Sequence, residues 1–378
     1  MRLTILAGGI PTTSFIDALI NGMASENYKV TVIGKKTSAY RYHKNVFPIE
    51  IPKNKLGQAL KIFIWFFSIN INKTIQIYRN AKSIKLFFYD LLFYYPIILS
   101  KPDKLHIQWA TFIHEKELLF NFFPNKIILS LRGAHINYTP ITHPIIGETY
   151  KKYFPLVHKF HAVSKSIAKE AIKYNAPEEK IQVIYSSVNI ESIIKQKELK
   201  TCSNYTFIVV GRNHWVKGYS YLFDGLSELK KRGYYFTVNM FVGKLSDDLI
   251  YQIYQNGITD NIIIKNNVSH QEIMQEISNA DALILSSINE GVANVVLEAM
   301  ALKTPVIVSD CGGMSEIIKH GENGWLFETR NSQSLANELE RFINNPDKLI
   351  IAETAYSYIL NSLSRANMIE EFKTLYKN

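Results

Sequence analysis

The sequence contains few of the residues that build disulfide-rich or zinc-binding domains. Its 378 residues include two cysteines, Cys202 and Cys311, which are not spaced as metal ligands. Small secreted scaffolds carry a framework of several cysteine pairs, and structural zinc sites need clustered ligands, so both classes are excluded. Two isolated cysteines predict a reducing compartment.

Long uninterrupted apolar runs are also absent. The most apolar stretches are 62–69 and 86–99, and the second is interrupted by Asp90 and Pro96. Both are shorter than the ~20 residues that a spanning helix needs. The N-terminal apolar run ends at Gly8-Gly9 and is too short for the core of a signal peptide. We therefore expect a cytosolic protein, or one attached to a membrane face without crossing it.

Acidic side chains are scarce in the first half of the chain. Residues 1–200 carry 28 Lys and Arg against 13 Asp and Glu, whereas residues 201–378 carry 15 against 20, within a formal net charge of +10. This change of sign predicts two bodies with different partners. The length allows two or three domains, and a hydrophobic fraction of 47% excludes disorder as the main state.

Short β-rich apolar runs alternate with amphipathic stretches in both halves. The alternation is typical of β-α-β units and predicts an α/β protein with two doubly wound domains, whose ligands bind at the carboxyl ends of the strands. A polar stretch at 191–204 is predicted as the linker. The predicted strands are 3–7, 29–33, 105–109, 126–131, 159–163, 181–184, 207–210, 237–242, 262–264, 282–285 and 305–308. The predicted helices include 13–25, 57–69, 165–174, 220–232, 269–279 and 292–301.

One segment combines a buried strand, a small polar loop and a helix start. It begins at Asp281 and reaches Glu290-Gly291, which we predict to open a helix running to about Leu302. Free N–H groups at that start favour an anion such as a phosphate, and Glu290 would accept hydrogen bonds from hydroxyls. Glu298 lies eight residues on, about 12 Å along a helix, so the two carboxylates are placed to hold opposite ends of one extended ligand.

Each glutamate also has a purely structural interpretation. Glu290 would be a first-turn acid that suits the helix dipole, and Glu298 a solvated helix residue. However, Glu298 is flanked by Val, Leu, Ala and Met residues, so its helix is apolar nearly all round. A buried carboxylate needs a partner, and ribose hydroxyls would provide one.

A second segment carries two cations on a loop between a strand and a helix. It reads Gly211-Arg212-Asn-His-Trp-Val-Lys217-Gly218. At the carboxyl end of the first strand of the second domain, Arg212 and Lys217 would neutralise a diphosphate leaving group. The alternative is a solvated loop, although this loop is a positive exception in a net acidic half.

These segments resemble the family 4 (group 1) retaining glycosyltransferases of GT-B fold. The resemblance rests on Glu290-x7-Glu298 followed by Ala-Met-Ala and Thr-Pro-Val, with Gly211-Arg212-x4-Lys217-Gly218 about eighty residues earlier. It extends over most of the chain through Gly8-Gly9, His161-Ala-Val-Ser164 and Gly321-Glu-Asn-Gly324.

The resemblance implies two Rossmann-like domains that face each other across a cleft. We expect an acceptor-binding domain at 1–195, a nucleotide-sugar-binding domain at 196–360, and a C-terminal helix at 361–378 that crosses back to the first domain.

The resemblance also implies the roles of individual residues. Arg212 and Lys217 would bind the diphosphate and, with Glu290 on the donor-sugar hydroxyls, form the catalytic set. Glu298 would bind the ribose. Further donor-site residues are Gly211, the backbone at Gly291, Val292, Ala293 and Asn294, Gly9 where the first domain approaches the diphosphate, and the nucleobase loops at Gly243 and Val268.

One position departs from the family pattern. Many members have a histidine at a strand end where this sequence has Arg132, followed by Gly133, Ala134 and His135. Arg132 would add positive charge near the donor or acceptor, and His135 and His114 are the neighbouring candidates for the acceptor site. A hydrogen-bonded or exposed structural role remains open for each histidine.

The implied reaction is transfer of a hexose-type sugar from a nucleotide diphosphate sugar, UDP favoured and GDP possible, with retained anomeric configuration. No cofactor or metal is expected, since Asp247-Asp248 resembles a helix start more than a metal motif. The implied setting is surface polysaccharide synthesis, such as capsule or O-antigen. Two alternatives stay open: a non-catalytic GT-B subunit that binds a membrane or partner, and a nucleotide-sugar epimerase.

The region 53–101 is strongly basic and aromatic. It contains eight Lys and Arg against Asp90 alone, with aromatic residues between them. Such a composition suits an anionic membrane surface and a glycan or lipid-linked acceptor. The alternative is that the aromatics are core and the lysines a solvated face. Nucleic acid is not expected, because no recognised reader motif accompanies the charge.

Overall fold

The structure, a computed structural model, describes residues 1–66, 68, 70–188 and 204–377. It forms two compact α/β units. The first comprises Met1–Val163, Ile167–Ile184 and the chain from Met368 onward, and the second comprises Ser164–Ser166 and Tyr185–Asn367. The expected boundary at 195/196 and nearly all of the predicted linker lie outside the described residues.

The first unit contains a seven-stranded parallel sheet of order β3-β2-β1-β4-β5-β6-β7. Its strands are β1 (Arg2–Ile10), β2 (Lys29–Lys36), β3 (Val46–Ile51), β4 (Lys104–Ile107), β5 (Ile127–Leu131), β6 (Lys159–Ala162) and β7 (Ile181–Val183). Its helices are α1 (Ser14–Ser25), α2 (Lys55–Phe66), α3 (Ile71–Asn80), α4 (Ile84–Ser100), α5 (Leu118–Phe122), α6 (Gly133–Asn137), α7 (Thr139–Thr142), α8 (Pro144–Tyr153) and α9 (Lys165–Ile172).

The second unit contains a six-stranded parallel sheet of order β10-β9-β8-β11-β12-β13. Its strands are β8 (Asn204–Val210), β9 (Tyr235–Phe241), β10 (Ile262–Ile264), β11 (Ala282–Leu285), β12 (Val306–Ser309) and β13 (Trp325–Phe327). The following helices are α10 (Tyr219–Lys231), α11 (Asp247–Gln255), α12 (His270–Asn279), α13 (Asn294–Ala301), α14 (Met314–Ile317), α15 (Ser332–Asn344), α16 (Lys348–Ser362) and α17 (Arg365–Lys377).

The predicted α/β class is confirmed, and two strands were missed. Both β3 and β13 are edge strands that pair with one neighbour each. Pro48 lies inside β3, which an edge strand tolerates because its unpaired side needs no N–H donor. β13 has only three residues. Neither strand carries the long apolar run that marks a central parallel strand.

The apolar residues of each sheet pack under helices on both faces. In the first unit, one face buries Ile5, Val32 and Leu19 together with Phe372 and Tyr376 of α17. The opposite face is covered partly by α4, whose Tyr94 and Ile97 are fully buried. The core of this unit therefore includes the last helix of the described chain.

A chain of buried hydrogen bonds ties α17 to the first sheet. Tyr376 Oη lies 2.6 Å from His106 Nδ1, His106 Nε2 2.8 Å from Ser130 Oγ, Ser130 Oγ 2.8 Å from His161 Nδ1, and His161 Nε2 3.0 Å from the Ile184 carbonyl oxygen. With both imidazoles neutral, the Ile184 carbonyl oxygen, which can only accept, fixes each donor: His161 Nε2 donates to it, Ser130 Oγ to His161 Nδ1, His106 Nε2 to Ser130 Oγ, and Tyr376 Oη to His106 Nδ1. Burial lowers the pKa of His106 and lowers that of His161 to about 3.

Gly8 and Gly9 lie within β1, which continues to Ile10. The register of β1 against β2 shifts between Leu6 and Gly8, which is a bulge. Gly8 has φ +85°, and Gly34 of β2 lies so close that a Cβ there would be 3.1 Å from the Gly8 backbone. Gly9 has ordinary space for a side chain, with Thr37 Cγ2 3.6 Å from an added Cβ.

Candidate functional site

Three loops that leave neighbouring strands of the second sheet are joined by hydrogen bonds. They follow β8, β11 and β12, whose carboxyl ends share one edge because the sheet is parallel. The Ile288 N–H donates to the Val216 carbonyl oxygen at 2.7 Å, and Ser286 Oγ donates to the Lys217 carbonyl oxygen at 2.8 Å. Ser309 Oγ donates to the Ser287 carbonyl oxygen at 2.6 Å. The predicted basic loop and the predicted acidic loop thus form one site.

The centre of this site is an ion pair between Lys217 and Glu290. Lys217 Nζ lies 2.6 Å from Glu290 Oε1, and Ser287 Oγ donates to the same oxygen at 3.1 Å. The side chains of Lys217 and Glu290 are only 16% and 19% exposed. Lys217 retains two further N–H donors, and no donor lies opposite Glu290 Oε2 among the described residues. The pair therefore offers both a cation and a hydrogen-bond acceptor to a ligand.

Two glycines permit the close approach of these loops. Gly218 has φ +63°, and a Cβ there would lie 2.2 Å from the Ser286 carbonyl oxygen. Gly312 has φ +57°, and a Cβ there would lie 1.8 Å from the Glu290 carbonyl oxygen. Any side chain at either position would displace the loop that carries half of the ion pair.

The helix after Glu290 begins later than predicted. α13 starts at Asn294 with Ala293 as its N-cap, so Glu290 and Gly291 lie in the preceding loop. The Ala293 N–H already donates to Met314 Sδ at 3.4 Å. In the part of the chain that the structure describes, no acceptor is found for the N–H groups of Gly291 and Val292. These two amides, rather than that of Ala293, remain available to a phosphate or sugar.

Arg212 and Gly211 lie at the end of β8, beside the ion pair. Arg212 is exposed, and its guanidinium forms no ion pair with any described residue. Its backbone is held, because Tyr219 Oη donates to the Arg212 carbonyl oxygen at 3.2 Å. Gly211 leaves room for the aliphatic part of Lys217, whose Cε would lie 3.2 Å from an added Cβ. The exposed cation is therefore free to contact an anionic ligand.

Glu298 has a protein partner that sequence reasoning missed. Its Oε1 lies 3.2 Å from Nε2 of His270, the first residue of α12. The side chain of Glu298 is 17% exposed, and burial raises its pKa while His270 lowers it. The carboxylate for which ribose hydroxyls were expected as partners therefore already has one partner within the protein. The signal was not in the sequence, because the contact depends on how α12 packs against α13.

The expected nucleobase loops lie on the far side of β8 from β11. Gly243 follows β9 and has φ +73°. Val268 precedes α12 and packs against the buried cluster that includes the apolar residues of α13. The Asn213 side-chain amide donates to the Lys244 carbonyl oxygen at 2.9 Å, which connects the β9 loop to the basic loop. Both positions thus lie on loops at the carboxyl ends of the strands, on the same side of the sheet as the ion pair.

In the first unit, Arg132 is held by neighbouring side chains. Its Nη2 donates to Gln108 Oε1 at 3.0 Å, and its guanidinium carbon lies 4.3 Å from the centre of the Phe15 ring. Burial lowers the pKa of Arg132 to about 9. Buried Nε of Arg132 and Nε2 of Gln108 have no hydrogen-bond partner among the described residues. These orphaned donors would suit an anionic or hydroxyl-bearing ligand.

The two candidate histidines occupy different surroundings. His135 Nδ1 lies 3.1 Å from Thr111 Oγ1, its ring centre is 5.1 Å from that of Trp109, and burial together with Arg132 lowers its pKa. His114 Nδ1 lies 2.9 Å from Thr149 Oγ1 and lines a polar cavity of about 380 Å³ that contains neither Arg132 nor His135. The structure therefore keeps these candidates in separate environments.

Comparison with solved structures defines the class of fold. The crystal structure of Anabaena HepE (Alr3699) in complex with UDP and glucose matches with a TM-score of 0.72 and 16% identity, covering 100% of both chains. The fold is GT-B, as predicted. No described helix is long and apolar enough to cross a membrane.

Comparison with sequence families then gives the family. The model for Glycosyltransferase Family 4 matches residues 12–192, and that for Glycosyl transferases group 1 matches residues 190–357. The chain belongs to these group 1, family 4 glycosyltransferases.

Individual relatives share parts of the chain. An uncharacterized glycosyltransferase of Methanocaldococcus jannaschii, MJ1607, is 29% identical over 57% of this chain and 58% of its own. The O-antigen chain mannosyltransferase RfbU of Salmonella typhimurium is 31% identical over 49% of this chain and 52% of its own. The chain thus matches little more than half the length of either relative.

Proposed function

We propose that this protein is a retaining glycosyltransferase that moves a hexose-type sugar from a nucleotide diphosphate sugar to a glycan or lipid-linked acceptor in surface polysaccharide synthesis. The observation that carries the proposal is the Lys217–Glu290 pair, enclosed by loops from three strand ends with Arg212 exposed beside it. Lys217 and Arg212 supply two positive charges for a diphosphate, and the Glu290 carboxylate can accept hydrogen bonds from the hydroxyls of the attached sugar.

In the proposed reaction, the acceptor hydroxyl oxygen bonds to C1 of the sugar on the face from which the diphosphate leaves. The bond between C1 and the diphosphate oxygen breaks, and the hydroxyl proton passes to that departing oxygen. Lys217 and Arg212 neutralise the growing negative charge, and Glu290 orients the sugar hydroxyls. Catalysis rests on positioning and charge stabilisation, so the reaction needs no metal.

Two relatives support the donor class. HepE was solved with UDP and glucose, and RfbU is named an O-antigen chain mannosyltransferase. We favour a UDP-sugar and keep a GDP-sugar as the second choice. RfbU also supports O-antigen or a related surface glycan as the product.

A donor screen followed by product analysis tests the function. UDP, GDP and their hexose conjugates are compared by thermal shift, since a ligand at 100 times its Kd stabilises a protein by about 2.7 kcal/mol. The stabilising nucleotide sugar is then incubated with acceptor glycans, with and without EDTA. We expect a product with the anomeric configuration of the donor, by NMR, and equal rates in EDTA. Inversion, epimerised donor without transfer, or no stabilisation by any nucleotide would contradict the proposal.

We also propose that the 53–101 region contacts an anionic membrane surface, which would place the protein at the cytoplasmic membrane face. The aromatic residues of this region divide into two groups. Tyr94 and Tyr95 are core, whereas Phe63, Phe88 and Tyr89 are 62%, 46% and 48% exposed. Co-sedimentation with phosphatidylglycerol vesicles at low salt, against phosphatidylcholine vesicles as control, tests this. Equal recovery with both lipids would contradict it.

A further inference from the structure

A groove of about 630 Å³ runs between α2 and α4 in the first unit. Its α2 wall consists of Lys55, Gln58, Ala59, Ile62 and Phe63, which are spaced three or four residues apart and so share one face of the helix. Ile62 packs against the core and forms the floor, while Ala59 and Phe63 are exposed. The groove is thus built into the helix pair.

The α4 wall has the same spacing and the same chemistry. It consists of Lys85, Phe88, Tyr89 and Leu92. Leu92 is only 6% exposed and completes the floor, whereas the two aromatic rings stand nearly half exposed. Each helix therefore contributes one lysine, an aromatic wall and an aliphatic floor.

The size and the apolar lining of the groove favour a small ligand with a hydrocarbon part. Pockets for small molecules typically measure about 300–1,000 Å³, and this groove lies within that range. Aromatic and aliphatic side chains that remain in water around a concavity mark a binding site, because a ligand would remove that surface from water.

The two lysines select the charge of the ligand. Lys55 is the first residue of α2 and Lys85 the second of α4, so each ammonium group adds to the positive end of a helix dipole. Neither forms an ion pair with any described residue, and the one acid of the 53–101 region, Asp90, is paired with Lys116 at 2.7 Å. Because both lysines line the same groove, an anionic group bound in it would be attracted by both.

We propose that this groove binds the single hydrocarbon chain of an amphiphile whose phosphate head is held by Lys55 and Lys85. As the site of a lipid-linked acceptor, this assignment rests on the proposed function; as a binding site for an alkyl phosphate, it does not. A concave groove takes one chain, whereas the neighbouring stripe of Leu56, Leu60 and Ile64, which are 81%, 58% and 52% exposed, is the part of α2 that would contact a bilayer.

Titration of the full-length protein with decyl phosphate, decanol and inorganic phosphate by calorimetry tests the proposal without any sugar donor. We expect one equivalent of decyl phosphate to bind below its micelle concentration, and the other two probes to bind at least about tenfold more weakly. Ala59→Trp fills the groove from an exposed position, and the Lys55→Ala/Lys85→Ala double variant removes the head-group site. Each should weaken binding by at least about tenfold.

Two variants on the same helix serve as matched controls. Leu60→Trp adds the same ring outside the groove, and Lys61→Ala removes a lysine that does not line it. Both should bind decyl phosphate like the wild type. Unchanged affinity in Ala59→Trp would overturn the proposal. So would binding that appears only with phosphatidylglycerol vesicles and is lost in Leu60→Asp but not in the groove variants, since that result assigns the region to the bilayer surface.

The outcome is separable from that of the proposed function. Decyl phosphate binding without sugar transfer from any donor would leave the groove assigned and refute the glycosyltransferase. Transfer to a soluble glycan without decyl phosphate binding would support the glycosyltransferase and refute the groove as an alkyl phosphate site. Transfer to a decyl phosphate-linked sugar that falls in Ala59→Trp, with an unchanged rate on the soluble acceptor, would support both.

Discussion

Lys217 performs two tasks at the candidate site. It holds Glu290, 73 positions further along the chain, and it presents a partly buried positive charge at the edge of the second sheet. The sequence patterns predicted Lys217 on a loop after a strand and Glu290 at a helix start, but they showed neither that the two residues touch nor that Ser287 completes the contact. Those facts depend on Gly218 and Gly312, whose missing side chains let three loops converge.

Lys217→Ala should reduce sugar transfer by a factor of about 10² to 10³, the usual cost of removing one donor that stabilises transition-state charge. The measurement is initial rate with the donor found in the thermal screen, and circular dichroism checks the fold. Lys231→Ala, an exposed lysine at the end of α10, is the matched control and should retain wild-type turnover. Full activity in Lys217→Ala would remove Lys217 from the catalytic set.

Glu298→Ala should weaken UDP or GDP binding by about tenfold or more, because a hydrogen bond to a charged group contributes about 1.5–3 kcal/mol. His270→Ala is the informative companion, since it removes the protein partner and leaves the carboxylate in place. We expect a clearly smaller loss of affinity in His270→Ala by calorimetry. Equal losses would show that Glu298 acts by positioning α12 and would contradict the ribose assignment.

At the scale of secondary-structure elements, α17 is held by contacts that depend on protonation state. The buried chain from Tyr376 to Ile184 requires neutral His106 and His161, and Arg132 opposes added positive charge on both. Because folding holds the pKa of His161 at about 3, well below its ordinary 6.5, the unfolded state binds more protons between these values. The stabilisation is complete above pH 6.5 and is lost progressively as the pH falls.

Lowering the pH from 7.5 to 5.5 should therefore destabilise the docking of α17 by about 1.4 kcal/mol per histidine. Each histidine should thus raise the equilibrium constant for opening of α17 about tenfold. Hydrogen exchange of the α17 amides, corrected for intrinsic rates, measures this. A His161→Gln variant should show a flatter pH profile than the wild type, whereas His143→Gln, at an exposed position, should not. A wild-type profile with no change over this range would refute neutral imidazoles as the cause.

Most central elements were predictable because buried parallel strands carry continuous apolar runs. The strands 262–264 and 282–285 were predicted with the bounds that the structure gives. The failures have local causes. β3 was missed because Pro48 interrupts its β-rich pattern. Glu290 was predicted in the first turn of α13, but the helix begins four residues later. The loop that carries Glu290 has no periodicity, so its close approach to Gly312 on a neighbouring loop could not be derived from the sequence.

At the scale of the whole molecule, the first unit is not one continuous segment. The chain leaves it at Ile184, forms the second unit, and contributes Met368, Phe372 and Tyr376 to the first core afterwards. Removal of one large core side chain costs about 3–5 kcal/mol, a large part of the 5–15 kcal/mol that stabilises a typical domain. The first unit is therefore completed by residues that lie far from the rest of it in the chain.

Phe372→Ala should accordingly destabilise the first unit by about 3–5 kcal/mol, because the ring is 2% exposed and packs beneath the sheet. Thr374→Ala, two residues away on the exposed side of α17, should change stability by less than about 0.5 kcal/mol. Urea denaturation followed by limited proteolysis identifies which unit opens first. Preferential opening of the second unit in Phe372→Ala would contradict the assignment of α17 to the first core.

The late position of α17 has a consequence for biosynthesis. A ribosome releases domains from the N-terminus onward, so early-made domains usually fold first. Here the first unit lacks five buried residues of its core, Met368, Ile369, Phe372, Leu375 and Tyr376, until the second unit has been translated. The unit made first is therefore the one completed last, and until then the nascent chain exposes the apolar face that α17 covers.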